Sequence, residues 1–236
     1  MKEILEKMYK NSFESFCNVM ISTLNKKQKM FIITANPETL MLSKRDIELN
    51  TMLHDNNSII VPDGIGIVKA AKIKGINIQE RITGVDIVQF LFEYANKEKL
   101  KVYLFGSKQE VIEKMEKVIN KKYKNVDLVG ATNGYIENKD EEFKKIKKSK
   151  PDIVMVALGI PAQEKLIYKH LNDFKKGIFI GVGGSFDVIS GTKKRAPKLF
   201  IDLNLEWLYR IICEPTRIKR FWNNNIRFLF EIKKEK

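Results

Sequence analysis

A chain of 236 residues with a formal net charge of +14 is long enough to bury one substantial core and basic enough to favour phosphorylated substrates, acidic membrane or nucleic acid. Its two cysteines, Cys17 and Cys213, lie far apart without metal-ligand spacing, which argues against a disulfide scaffold and for a reduced cytosolic protein. The longest apolar run, Ile153–Ile160, falls far short of the ~20 residues of a spanning helix, and Glu3, Glu6 and Lys7 interrupt any signal-like N-terminus.

Residues 1–28 read as an amphipathic helix carrying Phe13, Phe16, Val19, Met20 and Leu24. Six short β-branched runs follow: Phe31–Thr34, Ser58–Val61, Val102–Phe105, Asp127–Val129, Ile153–Val156 and Ile178–Ile180. Continuous apolar runs of that length are expected of strands covered on both faces. Helical patterns separate them; Val111, Met115 and Val118, for example, share one face. The expected fold is therefore α/β, a Rossmann-like, mostly parallel sheet flanked by helices. Near Leu199 the lysine-rich composition gives way to a segment dense in Trp, Phe and Arg. We place the body at residues 1–198 and a basic helical appendage at 199–236.

Several predicted strands end in polar or glycine residues: Thr34-Ala-Asn36, Pro62-Asp-Gly64, Gly106-Ser107, Gly159–Gln163 and Gly181–Gly184. Such ends on one rim form a ligand crevice. Gly64-Ile-Gly66 lacks the third glycine of a dinucleotide loop, with Lys69 in its place, and Asp63 beside it would repel a pyrophosphate. Gly181-Val-Gly183 fails likewise at Phe186, so no cofactor is expected. Gly106-Ser107 suits either a phosphate seat or an ordinary capped turn.

Asp63 stands out as the candidate base, because a carboxylate at a strand end can take a proton from a substrate hydroxyl. The bland alternative is a cap for a helix starting at Gly64. Asp86 and Asp187 have weaker claims. His54 and His170 stand alone and there is no Asp-x-Asp, so no metal site is expected. Neutralising a diphosphate would then fall to arginine, with Arg81, Arg195, Arg210, Arg217 and Arg220 as candidates. From Leu205 to Lys236, eight Lys or Arg face four Glu among interleaved aromatics, a composition suited to an anionic membrane surface or to packing on the body. No recognisable nucleic-acid module is present.

Taken in order, Thr34-Ala-Asn36-Pro-Glu38, Val61-Pro-Asp63-Gly-Ile-Gly-Ile-Val68, Arg81-Ile-Thr-Gly-Val-Asp86, Asn133-Gly-Tyr135, Pro151-Asp152, Ala157-Leu-Gly-Ile-Pro-Ala-Gln-Glu-Lys165 and the run from Gly181 to Arg220 resemble the WecG/TagA/CpsF family of bacterial glycosyltransferases. The resemblance covers nearly all of the chain after residue 30. It implies an inverting, metal-independent transfer from a UDP-sugar to a polyprenyl-diphosphate-linked sugar, carried out peripherally on the cytoplasmic face of the bacterial membrane. In the TagA branch the donor is UDP-N-acetylmannosamine, the acceptor undecaprenyl-diphosphate N-acetylglucosamine, and the product the linkage disaccharide of wall teichoic acid. By motif position Asp63 matches the base. Thr34, Asn36, Arg81 and Gln163 match pocket residues, and Tyr135 and Asp187 match nucleotide contacts. Arg210, Arg217 and Arg220 match tail arginines that close over the site, Arg217 and Arg220 serving the leaving diphosphate. The family's opening Gly-Val strand has no clear counterpart in Met1–Lys10.

Two other readings stay open: a sister enzyme using another UDP-sugar for a different surface polysaccharide, and a non-catalytic membrane-surface adaptor. An NAD(P)-dependent oxidoreductase is disfavoured by the broken glycine patterns. Homo-oligomerisation is also open, since a displaced tail would bare apolar surface for a second subunit to cover.

Overall fold

The computed structural model describes residues 1–216, 218–219 and 222–235. Each apolar run is a strand: β1 Lys29–Ala35, β2 Ser58–Pro62, β3 Lys101–Gly106, β4 Asp127–Thr132, β5 Ile153–Ala157 and β6 Gly177–Gly181. All neighbours pair in parallel, in the order β2-β1-β6-β5-β3-β4. That order is not the 3-2-1-4-5-6 of the dinucleotide fold; what holds is a parallel α/β sheet flanked by helices, with a helical C-terminal region.

The runs are continuously apolar because both sheet faces are covered. Ile32 and Ile33 are adjacent, point into opposite core layers and are both fully buried. One layer is closed by α1 Lys2–Lys7, α3 Pro37–Ser43, α4 Ile47–His54, α5 Ile65–Ile73, α8 Lys139–Ser149 and α9 Ala162–His170. The other is closed by α2 Phe13–Asn25, α6 Gly84–Glu98, α7 Gln109–Lys122 and α10 Ser185–Ile189.

The N-terminus departs from expectation: α1 and α2 replace the single helix expected over residues 1–28, and no strand precedes them. The Tyr9 N–H donates to the Ile60 carbonyl of edge strand β2 at 2.8 Å, holding the chain extended between the two helices. Ser12 then opens α2, its hydroxyl accepting from the Ser15 N–H at 3.2 Å.

Beyond residue 197 come α11 Lys198–Asp202, α12 Glu206–Cys213, a π-helical turn at Trp222–Ile226 and the C-terminal helix Arg227–Lys234. That last helix belongs to the body's packing. Phe228 and Ile232 are fully buried in the core layer that holds Leu40 and Ile67, and Lys44 pairs with Glu231. Helix α12 sits differently: Glu206 is its one buried residue. No helix among the described residues is long and apolar enough to cross a membrane.

Candidate active site

Because all six strands are parallel, their C-terminal ends share one rim, and the polar strand ends line it. At β1, the Thr34 hydroxyl donates to the Gly181 carbonyl at 3.3 Å, joining two strand ends. Asn36 starts α3 through a reciprocal cap. Its Oδ1 accepts from the Thr39 N–H at 3.1 Å, and its own N–H donates to the Thr39 hydroxyl at 3.2 Å.

Asp63 follows β2 and is held against β1, its N–H donating to the Ala35 carbonyl at 2.8 Å. It does not cap the following helix. Gly64 occupies that position at φ 112°, and no side chain caps α5. A side chain at Gly64 would be strained at that φ, so this turn is open chiefly to glycine and leaves the Asp63 carboxyl uncommitted to the helix. The N-terminus of α6 comes close as well: a Cβ on Gly84 would lie 3.3 Å from the Ser185 hydroxyl and 3.7 Å from the Thr34 methyl. That approach delivers the Gly84 N–H to Asp63.

Four charges then meet. Arg81 Nη1 reaches Glu206 Oε2 at 3.4 Å, and its Nη2 reaches the Ile201 carbonyl at 3.4 Å. Arg210 Nη2 donates to the other Glu206 oxygen at 2.9 Å. Both guanidiniums and Glu206 act on Asp63. Burial pushes the Asp63 carboxyl up from 3.8 to about 6; Arg210 opposes the rise, Glu206 adds to it, and Arg81 and the Gly84 N–H oppose it. Asp63 is only half-buried, so solvent moderates the effect of burial. A carboxyl in that range can accept a proton near neutrality and hand it on.

Gln163, at the start of α9, is spent on the protein itself. Its Oε1 accepts from the N–H groups of Gly159 and Gly183, each at 3.1 Å, and its Nε2 donates to Glu164 Oε1 at 2.8 Å. Gly181 makes room, since a Cβ there would lie 2.5 Å from Gln163 Nε2. Glu164 is fully buried, and its Oε2 has no hydrogen-bond partner among the described residues. Burial lifts it from 4.5 to about 7 against the Gln163 hydrogen bond. The Ser107 N–H is likewise spent, donating to the Ala157 carbonyl at 2.7 Å.

Asp63, Arg81 and Arg210 are thus brought together, with Thr34 on the neighbouring strand β1 and Asn36 just beyond its end. Asp187 lies mid-rim in the first turn of α10, after β6. Tyr135 is exposed in the loop after β4. That loop folds back over the ends of β3 and β5, the Gly134 N–H donating to the Ser107 carbonyl at 2.9 Å. Arg217 and Arg220 lie outside the described residues. Arg195 is bound to Asp86 and to Gln89, the latter at 3.3 Å, and so ties the loop before α11 to α6. Two residues escaped the sequence reading. Glu206 showed only an ordinary i,i+4 spacing to Arg210, and its contact with Arg81 is distant in the chain; Glu164 sat unremarked inside the Gln-Glu-Lys165 motif.

The chain matches the glycosyl transferase WecG/TagA/CpsF family model over residues 3–236. Among curated relatives, it is 39% identical over 213 residues to the N-acetylglucosaminyldiphosphoundecaprenol N-acetyl-beta-D-mannosaminyltransferase of Bacillus subtilis (strain 168), covering 90% of this chain and 83% of that protein. It is 37% identical to the enzyme of the same name from Bacillus spizizenii, over 84% of this chain and 76% of the relative. With that of Staphylococcus aureus (strain NCTC 8325 / PS 47) it shares 37% identity, over 88% and 81%. With Asp63 and its arginines on the rim of a parallel sheet, and with similarity running almost end to end, the chain belongs to the WecG/TagA/CpsF family of glycosyltransferases, close to its TagA-type members.

Proposed function

We propose that this protein transfers N-acetylmannosamine from UDP-N-acetylmannosamine to undecaprenyl-diphosphate N-acetylglucosamine, in the making of the wall teichoic acid linkage unit. The names of its relatives support the donor and acceptor. The observation that carries the chemistry is Asp63: a carboxyl raised to about 6 at the end of β2, with the charges of two guanidiniums acting on it.

In this reading Asp63 removes the proton of the acceptor hydroxyl as that oxygen attacks the donor's anomeric carbon. The bond from that carbon to the UDP oxygen breaks, and UDP leaves with the electron pair. One in-line displacement inverts the anomeric centre. Charge developing on the diphosphate needs fixed positive partners. Arg81 and Arg210 are placed for that role, and Arg217 and Arg220 join them by motif position. Thr34, Asn36 and Asp187 border the donor, Gln163 shapes the floor beneath it, and Tyr135 contacts the nucleotide, as its motif position implies. With no Asp-x-Asp in the chain, the reaction proceeds without a divalent cation.

The protein would work as a peripheral enzyme on the cytoplasmic face, where the lipid-linked acceptor lies. Leu199, Leu203, Ile212, Ile218, Trp222 and Phe230 are all exposed in the basic tail, as a membrane-facing surface requires. The test is UDP release from UDP-N-acetylmannosamine with a short-chain lipid-diphosphate N-acetylglucosamine and no added metal. Acceptor-dependent release is expected. UDP binding without release would move the donor or acceptor to another sugar, and release only with a divalent cation would overturn the metal-independent step.

A further inference from the structure

Helix α12 is amphipathic, yet the single side chain it buries is a carboxylate. Glu206 puts one oxygen on Arg210, four residues along the same helix, at 2.9 Å. Its other oxygen faces Arg81 of the body at 3.4 Å. A carboxylate dividing its two oxygens between two guanidiniums presents what a phosphate group would present to them. Among the described residues, the charged groups acting on Asp63 are Arg210 and Glu206 from α12 and Arg81 from the segment before α6. Two cations and two anions share the cluster, so it is balanced before any substrate enters.

We propose that Glu206 is a positioning residue that serves as an internal counter-anion, pairing Arg81 with Arg210 in the empty site and giving both up to the diphosphate of an incoming nucleotide. The proposal rests on the reading of this site as one that binds a UDP-sugar. A diphosphate arriving while Glu206 stayed in place would meet neutralised arginines and two carboxylates. Yielding Glu206 exchanges one anion for another on the same donors. The empty site therefore charges a toll on nucleotide affinity, and it keeps a negative neighbour beside the base.

The experiment is Glu206→Gln, checked for folding by thermal melting and measured in two ways. Isothermal titration calorimetry with UDP should show binding at least about threefold tighter, because the amide competes far less for the guanidiniums. The acidic limb of kcat/KM against pH should move to lower pH, because Asp63 loses a like-charged neighbour. A purely structural role would move neither quantity in these directions. Unchanged or weakened UDP binding in a folded variant overturns the proposal, and so does an unmoved acidic limb.

Glu206→Asp keeps the charge but is one methylene too short to span both arginines. It should tighten UDP by a smaller factor while its acidic limb stays close to that of the wild type. Should Glu206→Gln fail to fold, unchanged UDP affinity in Glu206→Asp is the overturning result. Failure of the wild-type protein to bind UDP at all is a separate outcome, which removes the UDP-sugar reading and this proposal with it.

Discussion

The Gln163 side-chain carbonyl accepts the Gly183 N–H at 3.1 Å and so locks the loop after β5 to the loop after β6. The same oxygen holds Gly159, so one buried amide sets the floor of the crevice at two strand ends. Gln163→Leu preserves volume but strands two backbone N–H groups and a Glu164 oxygen. Unpaired buried polar groups each cost on the order of 1–3 kcal/mol, and with three of them we expect a total loss of at least about 3 kcal/mol in urea unfolding. Stability unchanged within about 0.5 kcal/mol would show that this amide is not a structural tie.

Asp63→Asn should abolish turnover and raise stability at the same time. Between 3.8 and about 6 the folded protein keeps a proton on Asp63 that the unfolded chain has lost. Stability therefore falls as pH rises through that window, and the deficit persists above it. Asparagine cannot ionise, so near pH 8 the variant should be more stable by about 1–3 kcal/mol. Wild-type kcat/KM should rise with pH through about 6 as the base ionises. Near-normal turnover in folded Asp63→Asn would take Asp63 out of the chemistry.

Glu164→Gln separates a buried acid from the reaction. Its carboxyl is raised from 4.5 to about 7, so the folded state again loses stability as pH climbs through that range. The glutamine variant should match wild type near pH 4 and exceed it by about 2–3 kcal/mol near pH 8. Melting curves at the two pH values decide it: a gap independent of pH means that Glu164 titrates alike in the folded and the unfolded chain.

Phe228 and Phe230 lie two residues apart on the C-terminal helix, one fully buried and one exposed. Phe228→Ala should cost about 3–5 kcal/mol by opening a cavity between that helix and the body. Phe230→Ala should change stability by less than about 0.5 kcal/mol yet weaken sedimentation with anionic phospholipid vesicles. Equal vesicle binding by Phe230→Ala and wild type would remove this face from the membrane contact.

The six strands were legible because burial on both faces leaves a plain mark, an unbroken β-branched run. Their C-terminal ends were less so. Strand β4 continues through Gly130, a residue that reads as a turn but is needed there, since a Cβ on it would lie 2.2 Å from the Tyr103 ring. The break between α1 and α2 was invisible because its cause is tertiary, the bond from Tyr9 to β2. Asp63 could be singled out as the base from its flanking proline and glycine, but the helix-cap reading stayed open until Gly64 proved to hold the cap position. Glu206 was hidden: in sequence it is one acid in a basic tail with an unremarkable i,i+4 spacing to Arg210, and its second partner is an arginine far along the chain.

The tail is fastened at both ends. Upstream of α11, Arg195 binds Asp86; downstream, Phe228 and Ile232 are sunk in the core. Helix α12 therefore hangs on a strap rather than on a loose arm, and if Arg81 lets go of Glu206 the helix can travel only as far as its two moorings allow. A tethered partner keeps an effective local concentration on the order of millimolar, so rebinding is intramolecular and needs little intrinsic affinity. The contact between α12 and the body can thus be weak enough for a nucleotide to break and still reform after every turnover.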